Sequence, residues 1–107
     1  MIVASIHPSL LLTPKDGAAV KKQARLQWRP VKGANYYNVQ VFFNTTKVLS
    51  AWPTKPWLVL KGRWKWNGHT YGLARGVYTW YVWPGFGTRA AAHYGDLLGS
   101  STFRVLG

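Results

Sequence analysis

The sequence predicts an all-β fold, a seven- to eight-stranded antiparallel β-sandwich, and three observations support this prediction. Apolar and polar residues alternate in short runs separated by Gly, Pro and Asn, as half-buried strands require. No helical period persists beyond a few residues. Finally, Leu73 and a turn at Gly76 precede Tyr78, which opens a run of aromatic and β-branched residues. A tyrosine that begins a strand directly after a tight turn is typical of the tyrosine corner of β-sandwiches.

Individual strands are predicted from this alternation, and turn residues separate them. Asp16 and Gly17 form the first turn, because Asp can bond its own backbone and Gly can adopt a positive φ. Pro30 ends the second strand, since proline cannot donate to a ladder. Asn67 followed by Gly68 predicts a tight hairpin. The predicted strands cover residues 9–13, 24–29, 36–43, 47–51, 57–60, 63–66, 77–83 and 101–106.

A single domain is predicted for residues 1–107, because a chain of this length builds one core and not two. Its charge is unusual. The chain has 14 Lys and Arg residues and only two acidic residues, Asp16 and Asp96, which gives a net charge of +12. Such a chain is attracted to polyanions, including nucleic acid, anionic cell-wall polymers and acidic lipids. The alternative is that the charge only keeps a tryptophan-rich surface soluble. Because the sequence has no cysteine, disulfides and thiolate nucleophiles are excluded.

We predict no enzymatic activity, no metal and no cofactor, because the groups that such sites need are scarce. Two carboxylates leave almost nothing for paired acid and base catalysis. His7, His69 and His93 are far apart and lack the spacing of metal ligands. His93 lies near Asp96 in a predicted Gly-rich loop over residues 84–100, the one region that leaves an enzyme open as a distant option.

The order of these motifs resembles that of a fibronectin type III domain, an immunoglobulin-like β-sandwich of bacterial surface and secreted proteins. The resemblance covers nearly the whole chain. It departs from the family pattern at Arg75, where proline is common, and in a last inter-strand loop that is longer than usual. The motifs that carry it are residues 14–17, 26–28 and 33–39, Leu73 with Gly76 and Tyr78, and residues 101–105.

The resemblance implies that Trp28, Tyr37, Leu73 and Tyr78 are core residues and that the Tyr78 hydroxyl bonds the backbone of the preceding corner. It also implies an extracellular or cell-surface protein. Residues 1–12 are apolar but lack the basic start and cleavage pattern of a signal peptide, so an export signal is expected outside this sequence. No transmembrane segment is predicted, because no apolar run is long enough to span a bilayer.

Alternation along the third strand, its neighbour and the last strand predicts an exposed aromatic contact face. Such patches usually mark contacts, and three occupants are open: a neighbouring domain or second copy of the chain, sugar rings, or the bases of a nucleic-acid strand. The predicted face consists of Tyr36, Phe42, Tyr81, Trp83 and Arg104.

A possible polyanion face is predicted on the opposite sheet, and it consists of Arg25, Arg29, Arg63 and Lys65. Nucleic-acid binders interleave basic and aromatic residues on one surface, whereas here the two kinds are assigned largely to opposite faces. We therefore expect a non-catalytic spacer and adhesion module whose basic surface suits anionic envelope polymers. A nucleic-acid-binding domain that uses the basic sheet is the alternative.

Overall fold

The computed structural model describes residues 9–106, and this part of the chain is all-β apart from one short 3-10 helix over Arg89–Ala91. His7 and residues 1–8 of the apolar segment lie outside the described residues. The strands are β1 Leu11–Thr13, β2 Ala18–Val20, β3 Ala24–Trp28, β4 Tyr36–Phe43, β5 Thr46–Ala51, β6 Trp57–Leu60, β7 Arg63–Trp66, β8 His69–Gly72, β9 Gly76–Phe86, β10 His93–Tyr94 and β11 Gly99–Val105.

The strands form two sheets and a separate hairpin. The larger, six-stranded sheet has the order β2-β11-β9-β4-β5, with β10 paired to β9, and the smaller sheet has the order β1-β3-β6. Strands β7 and β8 pair only with each other. Every pairing is antiparallel except that of β2 with β11, which is parallel. Among the described residues no helix is long and apolar enough to cross a membrane.

One hydrophobic core joins the inner faces of the two sheets, so the architecture is β-sandwich-like. The smaller sheet contributes Leu26 and Trp28, and the larger sheet contributes Val39 and Trp80. The alternation expected of half-buried strands is observed: in β3 every second residue is buried. Leu73, which was expected in the core, is only half-buried and packs against it.

The predicted total of seven to eight strands is too low, because eleven strands are present among residues 9–106. The additional strands β2, β8 and β10 are two to four residues long, and such short segments show no readable alternation. The predicted purely antiparallel arrangement is also wrong for one pair, β2 with β11. The predicted hairpin at Asn67 and Gly68 is confirmed: both residues have positive φ, at 53° and 78°, as a type I′ turn requires.

The expected tyrosine corner hydrogen bond is present at the start of β9. Tyr78 is buried, and its hydroxyl donates to the carbonyl oxygen of Ala74 over 3.0 Å. Burial raises the pKa of Tyr78 above its ordinary value. The bond ties the segment that enters β9 to the core, because the ring of Tyr78 stacks on Phe103 of the adjacent strand.

Replacing Tyr78 with Phe is expected to lower the free energy of unfolding by about 1 kcal/mol, because it deletes one hydrogen bond and keeps the packed ring. Urea denaturation followed by circular dichroism measures the change. Tyr81→Phe is the matched control, since Tyr81 points away from the core, and we expect it to change stability by less than about 0.5 kcal/mol. Equal effects of the two substitutions would contradict the role of the corner bond.

The predicted loop over residues 84–100 is largely structured. Strand β9 continues to Phe86, and β10 pairs back onto its end. Between them, the 3-10 helix is capped by Thr88, whose hydroxyl accepts from the Ala91 amide over 3.2 Å. This hairpin extends the larger sheet and places Tyr94 opposite Gly85.

Candidate functional site

The outer surface of the larger sheet carries most of the predicted aromatic face. Phe42 of β4 lies edge-on to Tyr81 of β9 with ring centroids 5.6 Å apart. Tyr81 and Trp83 are two residues apart on β9, and their rings are nearly parallel with centroids 6.1 Å apart. Arg104 is exposed between the buried residues Phe103 and Val105 of β11, as predicted. Phe42, Tyr81 and Trp83 are half-buried, so each keeps part of its ring accessible.

The prediction that Tyr36 is exposed on this face is wrong. Only 4% of its surface is accessible, although it follows the outward alternation of β4. Tyr36 pairs with Gly85, where a Cβ atom would overlap the Tyr36 ring, and Tyr94 packs edge-on against it with centroids 5.7 Å apart. Burial raises the pKa of Tyr36, and the neighbouring Tyr94 raises it further while the positive charge of Arg89 opposes the shift.

The residues that bury Tyr36 belong to an exposed cluster that was not predicted from the sequence. Trp52 donates from Nε1 to the Tyr94 hydroxyl over 3.0 Å, and the Arg89 guanidinium lies 4.5 Å from the centroid of a Trp52 ring. Trp52 and Tyr94 are 37% and 41% exposed. Because Ser50 faces outward opposite Gln40, continued alternation beyond β5 would have placed Trp52 outward as well. The accessible rings of this surface are those of Phe42, Tyr81, Trp83, Trp52 and Tyr94, and we call these five residues the aromatic face.

Amide groups between the aromatic rings are partly used within the protein. Asn38 is buried, and its Nδ2 donates to Ser50 Oγ over 3.0 Å and to the Ala51 carbonyl over 3.1 Å. Gln40 Nε2 donates to Asn38 Oδ1 over 2.8 Å. Gln40 pairs with Tyr81, which in turn pairs with Ser100, so an amide and a hydroxyl flank the Tyr81 ring. The middle of the face, around Tyr81, therefore carries uncharged hydrogen-bonding groups beside the rings.

The outer surface of the smaller sheet is basic. The Arg25 guanidinium lies 4.6 Å from the centroid of a Trp57 ring, and the Lys55 ammonium lies 5.8 Å from it. Arg29 is exposed directly after β3. We call Arg25, Arg29, Lys55 and Trp57 the basic face. Lys55 and Trp57 were not among the residues predicted for it, because the side-by-side pairing of β3 with β6 is invisible in the sequence.

The structure does not bring Arg63 and Lys65 into the sheet that carries Arg25 and Arg29. Both are exposed on β7, which belongs to the separate hairpin. Trp64 anchors this hairpin to β5, because its Nε1 donates to the Val48 carbonyl over 2.9 Å. Arg63 and Lys65 consequently add positive charge to the molecule without lying in the sheet of the basic face.

The expectation that basic and aromatic residues lie largely on opposite faces is wrong. Trp57 lies among the cations of the basic face. On the aromatic face, the Arg89 guanidinium lies 4.5 Å from a Trp52 ring centroid, and the Lys47 ammonium lies 5.8 Å from the Phe42 ring centroid. Rings and cations therefore lie together on both outer surfaces, a combination that proteins use to bind single-stranded nucleic acids.

The carboxylate of Asp16 bonds a distant strand and not its own turn. Its Oδ1 accepts from the backbone N–H of Thr102 over 2.8 Å and from the Thr102 hydroxyl over 2.9 Å. Among residues 9–106 no group of three or more His, Asp or Glu side chains is placed to hold a metal ion.

Comparison with known proteins adds no relative: no family model, no curated protein and no solved structure matches this chain. The fold defines an all-β, sandwich-like domain. A fold of this kind hosts many unrelated functions, so the function depends on the residues of the two faces.

Proposed function

We propose that this chain is a non-catalytic β-sandwich module of the fibronectin type III kind, from an exported or cell-surface protein. It serves as a spacer and adhesion domain that holds anionic envelope polymers on its basic surface. The observation that carries this proposal is the charge: 14 Lys and Arg against two carboxylates. A net charge of this size attracts polyanions over long range and is the general basis of nonspecific polymer binding.

The strand arrangement and the corner support the fibronectin type III part of the proposal. Strands β1, β3 and β6 form one sheet, and β4, β9 and β11 lie in the other. The chain therefore crosses between the two sheets several times along its length. The Tyr78 hydrogen bond to Ala74 lies at the start of a central strand, where sandwiches of this class have their tyrosine corner.

The basic face supports the adhesion part of the proposal. Arg25 and Lys55 both lie against Trp57, and contact with a ring restricts a long cationic side chain without using its hydrogen-bond donors. Their donors stay available to sulfate, phosphate or carboxylate groups. With Arg29 exposed on the same sheet, several anionic groups of one polymer can be bound together.

The double variant Arg25→Gln and Lys55→Gln is expected to bind dextran sulfate, a probe for anionic polymers, more weakly than the unaltered protein. The slope of log affinity against log salt should become shallower by about 2, because two contacts that release counterions are lost. Fluorescence anisotropy at several salt concentrations measures both quantities. The double variant Lys21→Gln and Lys22→Gln removes the same charge elsewhere and is the control. Equal weakening by the two double variants, or binding of neutral dextran, would contradict the assignment to the basic face.

A nucleic-acid-binding function is the second candidate, and one observation favours it. Trp57 with Arg25 and Lys55 combines a ring on which a base can stack with cations for its phosphates. Competition between single-stranded DNA and dextran sulfate of equal charge separates the two functions. Preference for DNA that persists at raised salt and disappears on Trp57→Ala would favour nucleic acid, whereas equal competition supports the envelope polymer.

A further inference from the structure

We propose that the aromatic face holds an acidic polysaccharide, with Arg89 pairing a sugar carboxylate while Trp52 and Tyr94 contact the sugar ring. This inference rests on the proposed binding of anionic polymers, and it names the polymer class and a second face that selects it. The cluster combines a cation with exposed ring surface, which an acidic sugar requires because its ring is apolar on one side and its substituent is charged.

Arg89 is presented in a form suited to a carboxylate. Its guanidinium lies 4.5 Å from a Trp52 ring centroid, and a cation–π contact engages none of the N–H donors at the edge of the guanidinium. Those edge donors match the two oxygens of a carboxylate, with which they form paired, charge-assisted hydrogen bonds. The residue is exposed, so an incoming polymer can reach it.

The segment that carries Arg89 is held by hydrogen bonds. Asn35 Oδ1 accepts from the Gly87 backbone N–H over 2.6 Å at one end. At the other end, the Ala92 N–H donates to the Arg89 carbonyl over 3.1 Å while Ala92 takes a left-handed conformation with φ of 55°. A site that is ordered before binding loses less conformational entropy when the ligand arrives.

Trp52 and Tyr94 satisfy each other's polar atoms and leave ring surface accessible. The indole N–H of Trp52 donates to the Tyr94 hydroxyl over 3.0 Å, which fixes the two rings relative to each other. Tyr94 also packs edge-on against the buried Tyr36. Fixed, partly exposed rings whose polar atoms are already bonded favour stacking against the apolar side of a sugar.

The distribution of charge on the aromatic face favours an acidic polysaccharide over a nucleic acid. Lys47 lies over Phe42 at one end of the face, and Arg104 is exposed near the same end, where it pairs with Val77. Arg89 lies over Trp52 at the other end. The stretch around Tyr81 is flanked by Gln40 and Ser100, which are uncharged. A nucleic acid carries a phosphate at every nucleotide, so a surface that binds it needs cations along the whole length of the bound strand. Amide and hydroxyl groups between widely spaced cations suit a polymer that is rich in hydroxyls and has fewer charges.

The test compares binding of a galacturonic acid oligosaccharide with binding of its carboxyl-reduced, neutral counterpart, by isothermal titration calorimetry at fixed salt. The unaltered protein is expected to bind only the acidic form. Arg89→Ala should weaken this binding about tenfold, because charge-assisted hydrogen bonds are lost. The Arg89→Lys variant should lose nearly as much affinity for the oligosaccharide, because an ammonium lacks the paired N–H donors of a guanidinium. Arg75→Ala, which removes the same charge at the opposite end of β9, is the control and should change affinity less than about twofold.

Separate outcomes decide this inference and the function on which it rests. Equal weakening by Arg89→Ala and Arg75→Ala would overturn the subsite, while undiminished binding of dextran sulfate would leave the proposed function standing. Binding of the oligosaccharide that depends on Arg89, without any binding of dextran sulfate, would support the subsite and contradict general polyanion attachment. Single-stranded DNA of equal charge that binds more tightly than the oligosaccharide and depends on Arg89 would overturn the choice of polysaccharide.

Discussion

Truncation of Trp28 to alanine is expected to lower the free energy of unfolding by about 3–5 kcal/mol, the range for a large aromatic side chain in a packed core. Only 1% of Trp28 is exposed. Its ring centroid lies 5.3 Å from that of Tyr37, edge-on, and 6.3 Å from that of Trp80 in the facing sheet. Its Nε1 has no hydrogen-bond partner among residues 9–106, so the expected loss comes from packing and not from a broken hydrogen bond.

Chemical denaturation monitored by near- and far-ultraviolet circular dichroism measures this loss. Trp66→Ala is the matched control, because Trp66 is half-buried on the β7–β8 hairpin, outside the buried core cluster. We expect the control to cost less than about 1.5 kcal/mol. If both substitutions destabilised the protein equally, Trp28 would not connect the two sheets as the structure describes.

Raising the salt concentration is expected to weaken polyanion binding on the order of 100-fold between about 50 and 200 mM, if one polymer contacts about four cations at a time. The estimate follows from counterion release, in which each neutralised anionic group contributes almost one unit to the slope of log affinity against log salt. Arg25, Arg29 and Lys55 supply three such contacts on the basic face. Scattered cations such as Arg63 and Lys65 add further long-range attraction.

Much of the fold was predictable because its long strands alternate clearly. The bounds of β4, β6 and β7 agree with the predicted ranges 36–43, 57–60 and 63–66. In these segments every second side chain faces the core or a packed surface, and burial on one side of a strand imposes that period on the sequence. Strands β2 and β10 were not predictable, since segments of two or three residues pair through their backbone and leave no period to read.

Part of the candidate site escaped the sequence because burial depends on neighbours that are distant in the chain. Tyr36 faces outward by alternation, yet Tyr94, 58 residues further along, packs against it. Trp52 lies just beyond β5, and the predicted strand also ended at residue 51, so no side was assigned to Trp52. In the structure it forms the centre of the exposed cluster with Arg89. Phe42, Tyr81 and Trp83 were assigned to the correct face because each lies inside a long, regular strand.

The sheet assignment of the cations failed for a topological reason. Arg63 and Lys65 alternate with Trp64 and Trp66 just as a strand of the smaller sheet would. Alternation reports which side of a strand is covered, but it carries no information on which strand lies beside it. Pairing with β8 through the Asn67 and Gly68 turn is local, so the hairpin forms its own unit on the side of β5.

A salt titration of binding to dextran sulfate, repeated with neutral dextran of the same length, tests the central claim most directly. The proposed function predicts binding of the sulfated polymer alone, with log affinity falling linearly against log salt at a slope of roughly −3 to −4. Affinity that stays constant as salt rises, or equal binding of the neutral polymer, would contradict attachment through the basic surface.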